Sequence, residues 1–297
     1  MNCYLPETMR RCPPGYARAD IERAMQAGTI LTARAVRCDE NHDLLVDLGC
    51  AVGRIPRLEA AEGVADGSTR EIAILRCVGR LVCVRVTEIT PEGEILLSRR
   101  RAQQETMEHL LREARPGDIL PAVVTGCAPF GAFCDVGCGA VALLGTRQLC
   151  ISHLRHAGEL LAPGQRIYAA VRALDPARRR VFLTQRELLG TWEENAALFR
   201  AGQTVTGVVR SLTEYGAFVE LTPNLSGLAE DDGTLRVGDH VAVYIRAIVP
   251  ETLKIKLSVL HRLPPQPRGA LRYFQTGGHL DQWRYGNEHF AKCYTIF

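Results

Sequence analysis

The chain has 297 residues with 36 Lys or Arg, 33 Asp or Glu and a net charge of +3, and 46% of its residues are hydrophobic. A chain of this length is too long for one small barrel domain and is typical of two or three domains. The small charge excess permits an anionic partner without demanding one. No apolar run approaches the roughly 20 residues of a membrane helix, and the segment from Met1 to Asp20 lacks the apolar core of a signal peptide. We therefore expect a cytoplasmic protein that does not bind a membrane.

The eleven cysteines are odd in number and irregularly spaced, which argues against a disulfide framework. Cys127, Cys134, Cys138 and Cys150 fall within one predicted domain, but no CxxC pair occurs among them. We expect reduced thiols that serve as small apolar residues, with no metal and no cofactor. Zinc bound by these four cysteines is the alternative.

The N-terminal third of the sequence predicts a short helix and then a group of strands. Residues 1–27 form an N-terminal extension whose helix is capped by Asp20 and ended by Gly28. Residues 28–101 form the first domain. Its five short strands are predicted at 29–36, 43–48, 51–56, 81–86 and 94–98.

The five-strand pattern recurs twice along the chain. A helical linker at 102–116 leads to the second domain at 117–185, and a helical linker at 186–200 leads to the third at 201–262. The second copy has predicted strands at 119–125, 130–136, 141–145 with 148–152, 165–171 and 180–184. The third copy has predicted strands at 204–212, 215–221, 226–229, 240–248 and 254–258. A period this long indicates domain duplication and not a solenoid.

The second and third copies share a seven-residue stretch, Phe130–Val136 and Tyr215–Leu221, in which two aromatic residues flank a glycine and an alanine. In a strand, alternate side chains point to opposite faces. Ala217, Val219 and Leu221 would then face the core, while Phe218 and Glu220 would face outward. The stretch predicts a pair of outward rings on which unpaired nucleotides can stack.

The last segment, residues 263–297, breaks the strand pattern and is dense in aromatic residues, which argues against plain disorder. These residues are Tyr273, Phe274, Trp283, Tyr285, Phe290, Tyr294 and Phe297. We expect this tail to fold back on the third barrel or to dock on a partner.

Several of these features together resemble a known family. The five-strand order, the shared aromatic stretch, the opening Gly202-x-x-Val205-x-Gly207-x-Val209 and the closing Ile255-Lys256-Leu257-Ser258 resemble the S-one domain. This is an RNA-binding OB-fold barrel named after the largest protein of the small ribosomal subunit. The whole layout, including Glu187–Asn195, resembles the short three-repeat S-one-like proteins of low-GC bacteria such as clostridia. The resemblance implies an all-β chain of three tandem five-stranded OB-fold barrels joined by helical linkers.

The resemblance also implies which residues of the second and third copies bind RNA. They are the ring pairs Phe130 with Phe133 and Tyr215 with Phe218, the basic residues Arg180 and Lys254 at the start of the fifth strand, and the acidic Asp175 at the end of the fourth strand. Independently of the family, phosphates need cations nearby. The chain offers Arg172, Arg178 and Arg179 in the second copy and Arg210, Arg246 and Lys256 in the third. The first copy has no ring pair, and Glu94 replaces its basic residue, so we do not expect strong RNA binding there.

The sequence contains no HExxH, P-loop or GxSxG motif, so we do not expect an enzyme. We expect a non-enzymatic protein that binds single-stranded RNA, namely mRNA. It would act in translation on or near the small ribosomal subunit and be a monomer when free. The alternative is a protein–protein adaptor that docks on the ribosome or another RNA-processing complex through barrel 1 and the C-terminal tail. The missing rings of the first copy motivate this alternative.

Overall fold

The computed structural model describes residues 4–231, 233–267, 269–287 and 293–297. Within these residues, fifteen strands close three five-stranded barrels and two further strands form a hairpin near the C-terminus. The predicted fold class, all-β with three OB-like barrels, is confirmed. No helix in the described part of the chain combines the length and the apolar composition needed to cross a bilayer.

Barrel 1 closes in the order β1-β2-β3-β5-β4. Its strands are β1 Leu31–Cys38, β2 Leu44–Asp47, β3 Val52–Ile55, β4 Leu81–Ile89 and β5 Ile95–Ser98. Fully buried aliphatic residues such as Leu44, Val46 and Ile55 fill its interior, since alternate residues of each strand point inward.

Helix α1, Arg18–Ala27, precedes barrel 1 and confirms the predicted N-terminal helix. The predicted cap is wrong, because the N-cap residue is Ala17. Asp20 instead lies inside the first turn, where its carboxylate accepts the Ala17 backbone N–H at 2.9 Å. The helix ends at Gly28, whose φ of 63° is the left-handed conformation that glycine adopts readily.

Barrel 2 closes in the order β10-β8-β7-β6-β9. Its strands are β6 Ile119–Ala128, β7 Gly131–Gly137, β8 Ala140–Gly145, β9 Arg166–Asp175 and β10 Arg180–Thr184. The strand predicted at 148–152 is wrong. The chain instead turns into a 3-10 helix after Gly145, and β8 already pairs with β10 through Leu143 and Phe182, which leaves no sheet edge for another strand there.

Barrel 3 closes in the order β11-β12-β13-β15-β14. Its strands are β11 Thr204–Thr213, β12 Gly216–Thr222, β13 Leu225–Ala229, β14 His240–Val249 and β15 Lys254–Leu263. The pairing of β11 with β12 shifts between Val209 and Ser211, so Arg210 is the extra residue of a β-bulge.

Helices lie between and after the strands. A short helix α2, Ile72–Leu75, lies in the connection between β3 and β4, and α3, Arg99–Glu113, follows barrel 1. Ser98 caps α3 by accepting the Arg101 N–H at 2.9 Å. The second predicted linker helix consists of two pieces, a 3-10 helix at Arg186–Leu189 and α4 at Trp192–Ala196.

The chain forms two compact units. The first comprises Met1–Ala114, Asp135–Ala142 and Asp175–Arg180, and the second comprises Arg115–Cys134, Leu143–Leu174 and Val181–Phe297. Barrel 1 and α3 belong to the first unit, and barrel 3 with the C-terminal segment belongs to the second.

The C-terminal segment packs on the second unit through a hairpin of β16, Gln282–Arg284, and β17, Tyr294–Ile296. Trp283 and Tyr285 are buried in the same apolar cluster as Trp192 and the barrel 3 core. The expectation that the tail folds back on the third barrel is confirmed for these residues. Phe290 lies outside the described residues.

Gly216, at the start of β12, is held close to the next strand. Its φ is +127°, and a Cβ placed there would lie 2.2 Å from the carbonyl oxygen of Ala229. Gly131, at the equivalent place in β7, would put a Cβ 2.6 Å from the carbonyl oxygen of Leu144. Only glycine avoids these overlaps, so it allows the strand that carries the rings to begin this close to its neighbour.

We expect Gly216→Ala to lower the free energy of unfolding of barrel 3 by roughly 2–4 kcal/mol, because backbone strain and steric overlap add. Gly238→Ala is the matched control, since Gly238 has a φ of +99° but open space around its Cβ position. The control should cost only the strain, about 1–2 kcal/mol. Urea unfolding of the two variants checks this, and equal losses would contradict the close-approach argument.

Candidate nucleic-acid interface

The ring pair of barrel 3 faces solvent. Along β12, Ala217 and Val219 are fully buried, whereas Phe218 is 38% exposed and Tyr215, just before the strand, is 75% exposed. The predicted alternation therefore holds for these four residues. The prediction that Glu220 faces outward is wrong, because this carboxylate is buried against the guanidinium of Arg210.

The ring pair of barrel 2 is also exposed. Phe130 is 61% and Phe133 38% exposed, while Ala132 and Cys134 between and after them are fully buried. The two ring centroids lie 5.8 Å apart with an interplanar angle of 85°, an edge-to-face contact that aromatic pairs favour. Each of the two barrels thus presents two accessible rings beside its second strand.

Strand register extends the barrel 3 surface beyond its rings. Phe218 pairs with Leu228 on β13, and Leu228 pairs with Lys256 on β15. All three side chains are exposed and form one row across three strands. Sequence reasoning missed Leu228, whose place beside the ring depends on the register of two pairings. An aromatic face, an aliphatic side chain and a cation together can hold a base and its phosphate.

Barrel 2 offers a third ring at the position that Lys256 occupies in barrel 3. The alignment of Arg180 with Lys254 places Phe182 opposite Lys256. Phe182 is half-buried and pairs with Leu143 of β8. The sequence already contained this signal, because the alignment of the two fifth strands has no gap.

Two predicted cations keep exposed guanidinium groups. Arg172 donates through Nη1 to Oε1 of Gln148 at 2.7 Å, which orients the side chain without neutralising its charge. Arg246 lies 3.4 Å from the carboxylate of Glu230, and both side chains are well exposed. Such a surface pair is weak, so Arg246 can exchange its partner for a phosphate.

The remaining predicted contacts flank the turns before the fifth strands. Arg180 and Lys254 begin β10 and β15 with exposed side chains, and neither has an ion pair within the described residues. Asp175 ends β9 and accepts the backbone N–H of Arg178 at 3.0 Å. This bond organises the turn, while an RNA contact by Asp175 stays a prediction.

Arg210 is not exposed to a ligand. Its Nε donates to Glu220 at 2.8 Å and its Nη1 donates to Glu159 at 2.8 Å, and the side chain is buried. The bulge in β11 explains this, since the extra residue leaves the regular alternation of the strand. An RNA contact by Arg210 stays a prediction, and the geometry weighs against it.

Among the described residues, the corresponding face of barrel 1 has no aromatic ring, and the cation at its centre is bound by carboxylates. After a bulge like that of barrel 3, Leu45 pairs with Arg54 and Arg54 pairs with Leu96. The Arg54 guanidinium is bound by Glu94 at 2.6 Å and by Asp43 at 3.0 Å. Hydrogen bonds from Arg54 lower the pKa of Glu94, and the two carboxylates raise the pKa of Arg54. Within the described residues, this face therefore lacks the rings that stack bases, and its central cation is not free to attract phosphates.

The cysteines considered for zinc do not gather into a ligand set. Cys134, Cys138 and Cys150 are buried and Cys127 is half-buried. Across the described ranges, no group of three or more His, Cys, Asp or Glu residues is placed to hold a metal ion. Burial raises the pKa of the Cys127 thiol, which favours its neutral form.

Comparison with known proteins identifies the middle barrel. The model of the family described as "S1 RNA binding domain" matches residues 113–186, the range that contains β6 to β10 and the Phe130–Phe133 pair. Barrel 2 is therefore the part of the chain that is similar to S1 RNA binding domains. The S-one resemblance inferred from the sequence is therefore confirmed.

The chain is also similar to ribosomal proteins named bS1. It is 30% identical over 203 residues to small ribosomal subunit protein bS1 of Staphylococcus aureus (strain COL), covering 63% of this chain and 52% of that protein. It is 29% identical over 205 residues to small ribosomal subunit protein bS1 of Staphylococcus haemolyticus (strain JCSC1435), with the same coverage. The chain spans about half the length of the curated relatives it matches.

Among solved structures, a multidomain protein with nucleic acid binding domains from Streptococcus pneumoniae TIGR4 is 14% identical to this chain. The match covers 81% of this chain and 76% of that one, with a TM-score of 0.27. A similarity at this score has no weight for function, so the S1 domain and the bS1 relatives remain the relevant comparisons.

The two kinds of basic residue should respond differently to truncation. We expect Arg210→Ala to lower the free energy of unfolding of barrel 3 by about 3–5 kcal/mol, because Glu220 is left buried without its cation. Lys254→Ala should change it by less than about 0.5 kcal/mol, since Lys254 is exposed. Urea unfolding measures both. An Arg210→Ala protein of unchanged stability but weaker RNA binding would restore Arg210 to the interface.

Proposed function

We propose that this chain is a non-enzymatic protein that binds single-stranded RNA on barrels 2 and 3 and acts on mRNA in translation, on or near the small ribosomal subunit in the cytoplasm. The observation that supports the proposal most directly is the solvent exposure of four aromatic rings, Phe130, Phe133, Tyr215 and Phe218. Buried apolar side chains stabilise a fold and exposed rings do not, so these rings serve a ligand better than they serve the barrels.

The chemistry of the two faces suits an unpaired strand of tolerant sequence. Stacking on a ring contributes about 1–3 kcal/mol per base and works for every base, because each has a π-face. The exposed amines of Lys254 and Lys256 flank the Phe218 row and can neutralise phosphates. Since neither stacking nor a phosphate contact distinguishes one base from another, affinity should depend more on salt than on sequence.

The place of action is inferred from the relatives. The matched Staphylococcus proteins are named as components of the small ribosomal subunit. From these names we propose that this chain acts on mRNA in translation. We also propose that it is a monomer when it is not bound. Barrel 1, whose corresponding face has no aromatic ring among the described residues, is not part of the proposed RNA site.

The adaptor alternative is less well supported by the C-terminal segment. Trp283 and Tyr285, two aromatic residues of the tail through which such an adaptor would dock, are buried in the second unit of this same chain. A partner would have to displace them from the barrel 3 core. Their packing therefore favours an internal structural role over docking.

We expect Phe133→Ala/Phe218→Ala to weaken binding of an unstructured RNA oligonucleotide at least tenfold, because two stacking contacts of about 1–3 kcal/mol each are lost. Fluorescence anisotropy with labelled RNA measures the dissociation constant. Leu45→Ala is the matched control, since Leu45 holds in barrel 1 the register position of Phe218. The control should leave affinity unchanged, and unchanged affinity in the double variant would reject the ring site.

Salt dependence tests the phosphate contacts separately. We expect Lys256→Ala to reduce the slope of log K against log salt concentration by about 0.7, the loss of one single-strand phosphate contact. Arg54→Ala is the control, because the Arg54 guanidinium is already bound by two carboxylates. A slope that falls equally in both variants would point to the net charge of the protein and not to a site on barrel 3.

A further inference from the structure

Asn224, in the turn between β12 and β13, connects barrel 2, the linker and barrel 3. It is fully buried, and its side-chain amide has three partners. Its Oδ1 accepts the backbone N–H of Ile151 at 3.0 Å, and its Nδ2 donates to the carbonyl oxygens of Arg186 and Gly190, each at 2.7 Å. A buried amide satisfied in this way permits one arrangement of the three segments, because any other leaves polar groups unpaired.

Two further contacts join the same segments. The backbone N–H of Ser152 donates to the carbonyl oxygen of Pro223 at 3.0 Å, and the hydroxyl groups of Ser152 and Ser226 lie 3.2 Å apart. The buried guanidinium of Arg210 on β11 reaches Glu159 in the connection that follows β8. Barrels 2 and 3 therefore meet through fixed polar contacts and not through a flexible tether.

The C-terminal strap, defined as residues 269–287 and 293–297, fastens this junction from the barrel 3 side. The hydroxyl of Tyr285 donates to the backbone carbonyl oxygen of Asn224. The backbone N–H of Trp192 in α4 donates to the carbonyl oxygen of Tyr285 at 2.8 Å. Trp283 packs beside Tyr285 in the barrel 3 core cluster, so the strap is held by both polar and apolar contacts.

The same strap is bound to barrel 2. The Leu280 N–H donates to the Gly117 carbonyl oxygen at 3.0 Å, and the Ile119 N–H donates to the Gly278 carbonyl oxygen at 3.1 Å, which adds strap residues to the start of β6. The imidazole of His279 lies 2.7 Å from the carboxylate of Asp118.

Further along, strap residues contact β9 and the linker. The rings of Tyr273 and Tyr168 stack edge to face with centroids 5.4 Å apart. The buried hydroxyl of Thr295 donates to the carboxylate of Glu187 at 2.8 Å. One segment thus bridges barrel 2, the linker and barrel 3.

We infer that Asn224 and the C-terminal strap hold barrels 2 and 3 as one rigid platform, whose preferred substrate is a single strand long enough to occupy both ring pairs at once. This inference rests on the proposed function for its RNA part. A strand bound to one barrel meets the second barrel at a high effective concentration, and a fixed geometry lowers the entropy lost in the second contact. Short strands that reach only one barrel gain nothing from the strap.

The test uses the full chain and two variants of the junction. Asn224→Ala removes the central amide. The double variant Ser152→Ala/Tyr285→Phe removes two hydroxyl contacts without opening the core. It replaces Asn224→Ala in the test if that variant fails to fold. Tyr294→Phe is the matched control, because the Tyr294 hydroxyl bonds only Gln282 within the strap hairpin, at 2.9 Å, among the contacts described.

Two readouts separate the strap from RNA binding. Amide ¹⁵N relaxation without RNA gives one rotational correlation time for barrel 2 and one for barrel 3. Anisotropy titrations give the affinity for unstructured RNA of about 6 and about 24 nucleotides, a length that fits one OB-fold site and a length that can extend over two. The chain and Tyr294→Phe should show one shared correlation time and bind the long strand at least about tenfold more tightly than the short one.

We expect the junction variants to give separate, shorter correlation times and to lose that long-strand advantage, with short-strand affinity within about twofold. Variants in which the barrels still tumble together would overturn the role of Asn224 and the strap. Separate tumbling with undiminished long-strand affinity would overturn the platform. If the unaltered chain binds neither strand, the proposed function and the RNA part of this inference both fail, while the relaxation data still decide whether the junction is rigid.

Discussion

The alternation of side chains along β7 and β12 is the constraint on which the proposed binding surface depends. Ala217 and Val219 are sealed in the barrel 3 core, so the residue between them has to face water. A register shift of one residue would bury Phe218 and expose the residues that now face the core. Because this shift is unfavourable, the register is strongly specified. The close approach of Gly216 to the Ala229 carbonyl brings the start of the strand against its neighbour. Ring exposure is therefore a consequence of how the barrel closes.

Barrel 1 shows that the same closure does not by itself place aromatic rings on the outer face. It has five strands in the same order, the same bulge before the second strand and the same cross-strand row. Leu45 stands in the place of the ring, however, and the charge of Arg54 is neutralised by Glu94 and Asp43. The scaffold sets which positions face outward, and the residues at those positions decide whether a strand of RNA can bind.

The strands and ring positions could be predicted because both depend on local, period-two patterns. The first-copy strand predicted at 43–48 is observed at Leu44–Asp47, and Phe133 and Phe218 face outward as expected. The charged positions could not be predicted in the same way. Arg210 leaves the alternation through a bulge, and its partner Glu159 lies 51 residues earlier in the chain. Leu228 required the register between strands, which a single strand's pattern does not contain, whereas the ungapped alignment of the two fifth strands already pointed to Phe182.

The burial of Arg210 and Asn224 also bears on how two weak sites can act together. An apolar contact between the barrels would stabilise many relative orientations about equally, since the hydrophobic effect has no direction. Hydrogen bonds from a buried amide and a buried guanidinium hold only where donors meet acceptors, so they select one orientation even where they add little stability. In the proposed platform, the buried Arg210 of the bulge orients the two barrels, while the exposed amines of Lys254 and Lys256 bind phosphates. Division of the basic residues between a buried junction and an open face is what a platform of two stacking sites requires.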